Sequence, residues 1–483
     1  MSDSLMPHAG TDRWVVAREH GSGRRLLVRP RVLIPILLFL LSLTVNFAHV
    51  DVTEFHPDET RWINRAHYFT DLADPFGPTW EDQYLTRGQP PLGSYLMGLG
   101  LVLQGRDTVT NGVWDFSYGA EWNMISGAMP DPADMDAARR TNAVVGAITV
   151  VLVFLITASL AGTVAATAAG LLLALHPLHI WIASQALSDQ LLILIVAMAL
   201  LTIVRLAERP TRGKALLLGI LLGLGGATKL SPLLLSFPLA AYGLVLVLLA
   251  RRGLVNREKA YAIGPLLFVQ PVIAIVTFVV SYPYLWPLPI ERTWNLFQLR
   301  TQEMQEQAAT WPEIEIAHPG IALLRIYDRL TWQYSASGNL SEAVLGLVGI
   351  DASVWGFEIP LALLGIGVLA WLVVRRGLTS STALAAFLLA GQVGAIIVGM
   401  KVDFYRYHLP LVLGISILCG IGFQYIWQLL ANRGWAAVWS VIPGVTVDQI
   451  PSSRATSRLP RSVERDEPDP EASVSRPIRS GTP

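Results

Sequence analysis

Two carboxylates stand side by side in "EFHPDETRW", directly after a run of nearly twenty apolar residues. Asp58 and Glu59 follow His56 and Pro57, and a third acid, Asp189, closes the stretch "HPLHIWIASQALSD". A carboxylate in such a place can take a proton from an attacking oxygen. It can equally satisfy the orphan amides and the positive dipole end of a helix that starts after a proline. Candidate cations lie elsewhere in the chain: Arg139 in "RRTNAVVGAITVV", Lys229 in "GLGGATKLSP" and Arg406 in "DFYRYHLP".

The solvent around these residues follows from composition. Of the 483 residues, 52% are hydrophobic and 15% charged, and the mean hydropathy is +0.47. Those values belong to a chain that lives in lipid. The net charge is zero, which gives no global field for nucleic acid. The single cysteine, Cys419, excludes an intramolecular disulfide scaffold and a cysteine-based metal site.

About ten windows are apolar for long enough to cross the hydrocarbon, near 32–50, 142–162, 164–182, 190–206, 215–228, 231–250, 260–281, 357–374, 382–400 and 409–428. The first is too long and lacks the small-residue exit of a cleaved signal peptide, so it is a retained span. The chain is therefore expected to be an all-α polytopic membrane protein. The apolar stretch 92–103 is shorter and is expected as a juxtamembrane helix. Stretch 291–307 is expected as an interfacial amphipathic helix.

Orientation follows from Lys and Arg near span ends. Arg205, Arg209, Arg212, Lys214, Arg251, Arg252, Arg257, Lys259, Arg375 and Arg376 fall in alternate short loops, and the opposite short loops hold only Lys229, Lys401 and Arg406. A basic cytoplasmic segment, 1–31, thus precedes a membrane domain over 32–430. Its two large loops, 51–141 and 282–356, lie on the outer face of the cell membrane, together with Asp189. The tail, 431–483, is polar and expected to be disordered on the cytoplasmic side.

Lys229 sits where an apolar segment of about thirteen residues, roughly 20 Å as helix, meets Ser231-Pro232. A lysine at an interrupted membrane position is a functional-site hypothesis, against the alternative of a snorkelling anchor. Arg406, between Tyr405 and Tyr407, has the same two readings. The loop after the seventh span carries Tyr282, Tyr284, Trp286, Trp294, Trp311, Trp332 and Tyr334. Most of these read as an interfacial belt and a minority as sugar-stacking faces.

The order of these motifs resembles a known group. An acidic pair beyond the first span, the Pro-Pro-Leu of "QPPLGSYLMGLG", an arginine-rich entry to the second span, Asp189, Lys229 and "DFYRYHLP" are similar to the lipid-carrier-dependent glycosyltransferases of the C superfamily. The nearer members are the prokaryotic protein O-mannosyltransferases and aminoarabinose transferases, and the similarity covers most of 30–430. It implies transfer of a sugar from a polyprenyl-phosphate carrier to an acceptor hydroxyl, with inversion, on the extracytoplasmic face. The acceptor would be a protein, a lipid or a glycan of the cell envelope.

In that frame Asp58 is the base, with Glu59 beside it holding structure or sugar hydroxyls. Arg139, Lys229 and Arg406 bind the donor phosphate. Gln89, Asp189, His56 and Tyr407 complete the substrate site. Gln89 departs from the Lys or His common at this position and brings an amide in place of a charge.

No cofactor is expected. The nearer relatives work without metal, although a divalent ion between Asp58, Asp189 and the carrier phosphate is the arrangement of some of the wider superfamily. The competing function is a transporter or flippase of lipid-linked sugars. It would need buried polar groups along several spans near the midplane, whereas spans 142–162 and 231–250 carry no charge.

Overall fold

A computed structural model describes residues 30–333, 335–338, 349 and 356–433. The basic segment before Pro30, the tail after Arg433 and Tyr334 lie outside the described residues. Among those described, regular structure is helical apart from one isolated antiparallel bridge between Glu315 and Val402. The chain is an all-α polytopic membrane protein.

The long helices are α1 (Pro30–Val50), α4 (Pro132–Ala161), α7 (Asp189–Glu208), α9 (Ser231–Arg251), α10 (Arg257–Val280), α13 (Glu358–Arg376), α14 (Ser381–Gly399) and α15 (Leu409–Arg433). Among the described residues eight helices are long and apolar enough to span, and nine if one bent pair counts as a single span. That pair, α5 (Thr163–Leu175) and α6 (Pro177–Ala183), bends by 59°. The sequence window 164–182 reads as one span, but Pro177 offers no N–H to continue the ladder. His176 caps the new helix instead, its side chain accepting from Leu178 N–H at 3.2 Å.

The remaining expected span is α8 (Arg212–Gly226), 15 residues long, or about 22 Å. It stops short of a full crossing, and Lys229 lies in the turn between it and α9. Helix α4 begins ten residues before its apolar window, with Asp131 accepting from Ala133 N–H at 2.8 Å and Pro132 in the first turn. The added turns carry Asp134 and Arg139 into the interior.

Short elements fill the segment after α1: α2 (Asp58–Asn64), several single turns, and α3 (Leu92–Leu103). Helix α3 buries one face, with Met97 and Leu101 almost wholly covered. Gly98 is required there by close approach, because a Cβ would stand 2.1 Å from the Ala66 carbonyl oxygen. Helices α9 and α10 meet in the same way, a Cβ on Gly243 coming within 2.5 Å of Gly264 O. Small residues at such crossings let membrane helices pack backbone to backbone.

Beyond α10, helix α11 (Pro289–Thr310) is amphipathic as expected, with Leu296 its one buried residue. Helix α12 (Pro319–Asp328) follows. The aromatic belt is only partly realised: Trp294 is exposed, but Tyr282 and Tyr284 are fully buried. Their hydroxyls donate to Thr86 O and, at 3.1 Å, to Asp82 Oδ1. A tyrosine whose hydroxyl finds a partner can be buried like a phenylalanine.

Candidate active site

The turn 54–59 sends its two carboxylates in different directions. The helix does start at Asp58, as a helix-start reading requires. The His56 N–H donates to Glu59 Oε2 at 3.0 Å, and the Asp58 N–H donates to His56 Nδ1 at 3.1 Å. This reciprocal lock, close in form to a capping box, fixes Glu59 inward and leaves Asp58 at the edge. It also makes His56 Nδ1 an acceptor. Burial lowers the His56 pKa, against the opposing pull of Asp58.

Glu59 is fully buried and holds Arg139 from two sides, at 2.8 Å from both Nε and Nη2. Glu59 Oε1 also accepts from Ala186 N–H at 2.8 Å. Arg139 completes its fork on the carbonyls of Val50 and Thr53, at 2.8 and 3.0 Å, and of Glu54, at 3.4 Å. All five N–H groups of a guanidinium are then used. Arg139, expected at the donor phosphate, has no donor left for it, and Glu59 has no face for a sugar. Together they tie α2, the end of α1, α4 and the 184–188 turn into one piece.

Asp58 pairs instead with Arg406 Nη1, both side chains about one-seventh exposed at 14% and 15%. Burial would raise the Asp58 pKa, but the pull of Arg406, His56 and Arg61 outweighs it and holds the carboxyl below the ordinary carboxylate range. Arg406 Nε is buried without a protein partner, and the guanidinium carbon lies 5.4 Å from the Phe404 ring and 5.8 Å from the Tyr407 ring. On that same Tyr407 ring, at 5.0 Å, sits Lys229 Nζ. Lys229 reaches Asp189 Oδ1 at 2.5 Å, with Asp189 opening α7. Two carboxylate–cation pairs thus meet across one tyrosine.

His56 borders this cluster through the Tyr405 ring at 6.0 Å, and Tyr405 stacks on Trp181 at 4.1 Å. The 184–188 turn that delivers Asp189 is fastened to α4 by Asn142, which donates to Gln185 O and Leu187 O at 2.5 and 2.6 Å. Gln89 stands on the next loop. Its carbonyl and amide oxygens accept from buried Arg65 at 2.8 and 3.4 Å. The Pro-Pro element behind it docks on the same turns, with Leu92 N–H donating to Ala227 O at 2.9 Å and Gly93 packed between Ser188 and Trp62. The structure therefore gathers Asp58, His56, Asp189, Lys229, Arg406 and Tyr407, holds Gln89 on Arg65 instead, and assigns Glu59 and Arg139 to the frame.

Sequence reasoning missed a third charged group. Asp403, fully buried, accepts from His408 Nε2 at 2.8 Å and from Arg329 Nε and Nη2 at 3.1 and 3.0 Å, with Arg325 Nε at 3.9 Å. Burial would raise its pKa, and His408 and Arg329 bring it down. The available signal was the i, i+4 spacing of Arg325 and Arg329, which puts both on one helix face. An apolar cavity of about 210 Å³ is lined by Val196, Leu200, Ile326, Leu330, Leu389 and Pro410, among others. Among the described residues no three His, Cys, Asp or Glu side chains are grouped as metal ligands.

A family model described as dolichyl-phosphate-mannose-protein mannosyltransferase matches residues 132–278, less than a third of the chain. Curated proteins give no match. Among solved structures, an Archaeoglobus fulgidus oligosaccharyltransferase in complex with zinc and sulfate aligns at a TM-score of 0.51 and 13% identity, over 83% of this chain and 50% of that one. The Archaeoglobus fulgidus oligosaccharyltransferase AglB, in complex with an inhibitory peptide and a dolichol-phosphate, aligns at 0.50 and 12% identity, over 86% and 52%. ArnT from Cupriavidus metallidurans, bound to undecaprenyl phosphate, aligns at 0.47 and 17% identity, over 84% and 63%. The chain spans about half the length of the oligosaccharyltransferases, and the likeness to them establishes a shared fold.

Proposed function

We propose that this protein is an integral membrane glycosyltransferase that moves a sugar from a polyprenyl-phosphate carrier to an acceptor hydroxyl, with inversion, at the extracytoplasmic face. The observation that carries the reading is the pairing of Asp58 with an arginine whose fork is largely unspent, beside a second carboxylate–lysine pair on the same tyrosine. The family match over the second to seventh helical segments, the fold shared with an oligosaccharyltransferase that holds a dolichol-phosphate, and the Lys/Arg bias of the short loops support it.

Asp58 accepts the proton of the acceptor hydroxyl as its oxygen attacks the anomeric carbon. The bond from that carbon to the phosphate oxygen breaks, and the carrier phosphate leaves with the electron pair. Arg406 and Lys229, both mostly buried, stabilise the growing negative charge, and such contacts strengthen as water is excluded. The phosphate competes with Asp58 for Arg406, so donor binding frees the carboxylate to act as a base. Asp189 orients Lys229, Tyr407 holds both cations in register, and Gln89 and His56 bind substrate. The charge neutralisation assigned to Arg406 and Lys229 needs no divalent ion.

The test is mass spectrometry of polyprenyl-phosphate sugars in cells lacking the protein and in cells carrying Asp58→Asn. Accumulation of the same lipid-linked sugar in both identifies the donor and ties its consumption to the carboxylate. Full consumption by the Asp58→Asn protein would remove Asp58 from the base role.

A further inference from the structure

Rings lead away from the Asp58–Arg406 pair on both of its sides. On the arginine's side, the Arg406 guanidinium lies over Phe404 and Tyr407. Phe404 meets Trp311 at 5.7 Å between ring centroids, and Trp311 meets Phe116 at 6.5 Å. On the acid's side Phe55, directly before His56, meets Trp114 at 5.6 Å. The two series therefore end two residues apart on one loop, at Trp114 and Phe116.

That loop is fastened to the helix of the proposed base. Trp114 N–H donates to Thr60 Oγ1 at 3.0 Å, Asn111 Nδ2 to Thr60 O at 3.0 Å and Asn64 Nδ2 to Asn111 O at 2.7 Å. Thr60 and Asn64 belong to α2, which Asp58 opens. Fully buried Asn123 ties the loop from its other end, accepting from Asp115 N–H at 2.7 Å and donating to Asp115 O and Gly119 O at 2.9 and 3.1 Å. Phe116 is nevertheless 52% exposed, and Phe55, Trp114, Trp311 and Phe404 are each partly exposed. Rings held in order without being buried make a preorganised face for a ligand.

The chemistry of that face selects its occupant. A ring offers an apolar face, and tryptophan adds a polar edge. The indole N–H groups of Trp114 and Trp311 donate to no protein acceptor among the described residues. Sugars present the complement, C–H faces flanked by hydroxyls, and the five uncharged rings suit a neutral ligand. A membrane belt would spread its rings around the spans. These come from four separate stretches of the chain and run instead to the reacting groups.

We infer that Phe55, Trp114, Phe116, Trp311 and Phe404 bind the acceptor, and that the acceptor is a glycan whose sugar residues stack on these rings and bring one hydroxyl to Asp58. This rests on the glycosyltransferase reading above and adds the class of the acceptor. The hydroxyl oxygen of that sugar bonds to the anomeric carbon of the donor, its proton passes to Asp58, and the carrier phosphate leaves with the electron pair. The new bond joins sugar to sugar.

Cells lacking the protein supply both materials for the test: the lipid-linked sugar they accumulate, and their protease-digested, delipidated envelope glycan. Transfer from the first to the second by the purified full-length protein in nanodiscs is followed by linkage analysis, with the envelope protein and lipid fractions assayed in parallel. Wild type is compared with Phe116→Ala, Trp311→Ala, Trp311→Phe and Trp294→Ala. Trp294 is exposed on α11 and outside the two series. Thermal unfolding confirms that the variants fold.

The expected product is a sugar-to-sugar linkage. Phe116→Ala and Trp311→Ala should raise the KM for the glycan by about three- to tenfold, with kcat within about twofold of wild type. Trp311→Phe should restore most of the loss, and Trp294→Ala should match wild type. Transfer to protein or lipid but not to the glycan would overturn the inference and leave the glycosyltransferase reading standing. So would glycan transfer that Phe116→Ala and Trp311→Ala leave unchanged, or that Trp294→Ala weakens equally. No accumulated lipid-linked sugar, or no transfer to any of the three fractions, would overturn both.

Discussion

Asp58 and Glu59 are neighbours in one helical turn, and each is paired with an arginine, yet the two pairs are opposites. Glu59 and Arg139 are almost wholly buried, at 0% and 3% side-chain exposure, and the fork of Arg139 is fully spent on one carboxylate and three carbonyls. Asp58 and Arg406 keep some exposure, at 14% and 15%, and the arginine has a buried N–H with no protein partner. A saturated pair stores rigidity. An unsaturated pair can exchange its partner for a ligand, which is the property a reaction needs.

The sharpest way to break this comparison is substitution of the two acids in parallel. Asp58→Asn keeps the shape and removes the proton acceptor, so transfer should fall by about 10²–10⁴-fold with the protein still folded. Equal loss from Glu59→Gln in a protein of unchanged stability would end the division of roles. Next is stability, read from thermal unfolding in detergent. Removing one partner of a buried pair costs about 3–5 kcal/mol, so Arg139→Ala should sharply lower the unfolding temperature or the folded yield. Arg406→Ala should lower activity far more than stability, since its pair is partly exposed and salt-screened.

A smaller effect lies in pH. Because Arg406, His56 and Arg61 together hold the folded Asp58 pKa below its unfolded value, the pair stabilises the protein above the unfolded carboxylate pKa. That contribution is lost as pH falls through the lower folded pKa. In Arg406→Gln the acid limb of the pH–rate profile should move to higher pH, and an unmoved limb would separate Asp58 from Arg406. The smallest expected effect is that of a chelator. Turnover unchanged after EDTA treatment fits charge neutralisation by Arg406 and Lys229, while loss restored by a divalent ion would assign the carboxylates to a metal.

Much of the architecture was legible from hydropathy, because a backbone in lipid must satisfy its own polar groups and does so as helix. The short apolar helix before Lys229 was marked by the Ser231-Pro232 that follows it, while the break at Pro177 lay inside a window read as one span. The site was less legible. Lys229 stood out because a lysine near an interrupted apolar helix is costly to place, and the structure sets it on Asp189. Arg139 stood out by motif order, but its saturation depends on carbonyls at 50, 53 and 54, more than eighty residues away. No local pattern carries that information. Asp403 drew no notice because its cations come from residues 325 and 329.

The sequence by itself determined that this chain crosses the membrane repeatedly as helices and which ends of them carry charge, since both follow from transfer free energies summed over short windows. Tertiary structure alone decided which of two adjacent carboxylates is available. That choice turns on which distant donors converge on each oxygen, and packing sets that convergence.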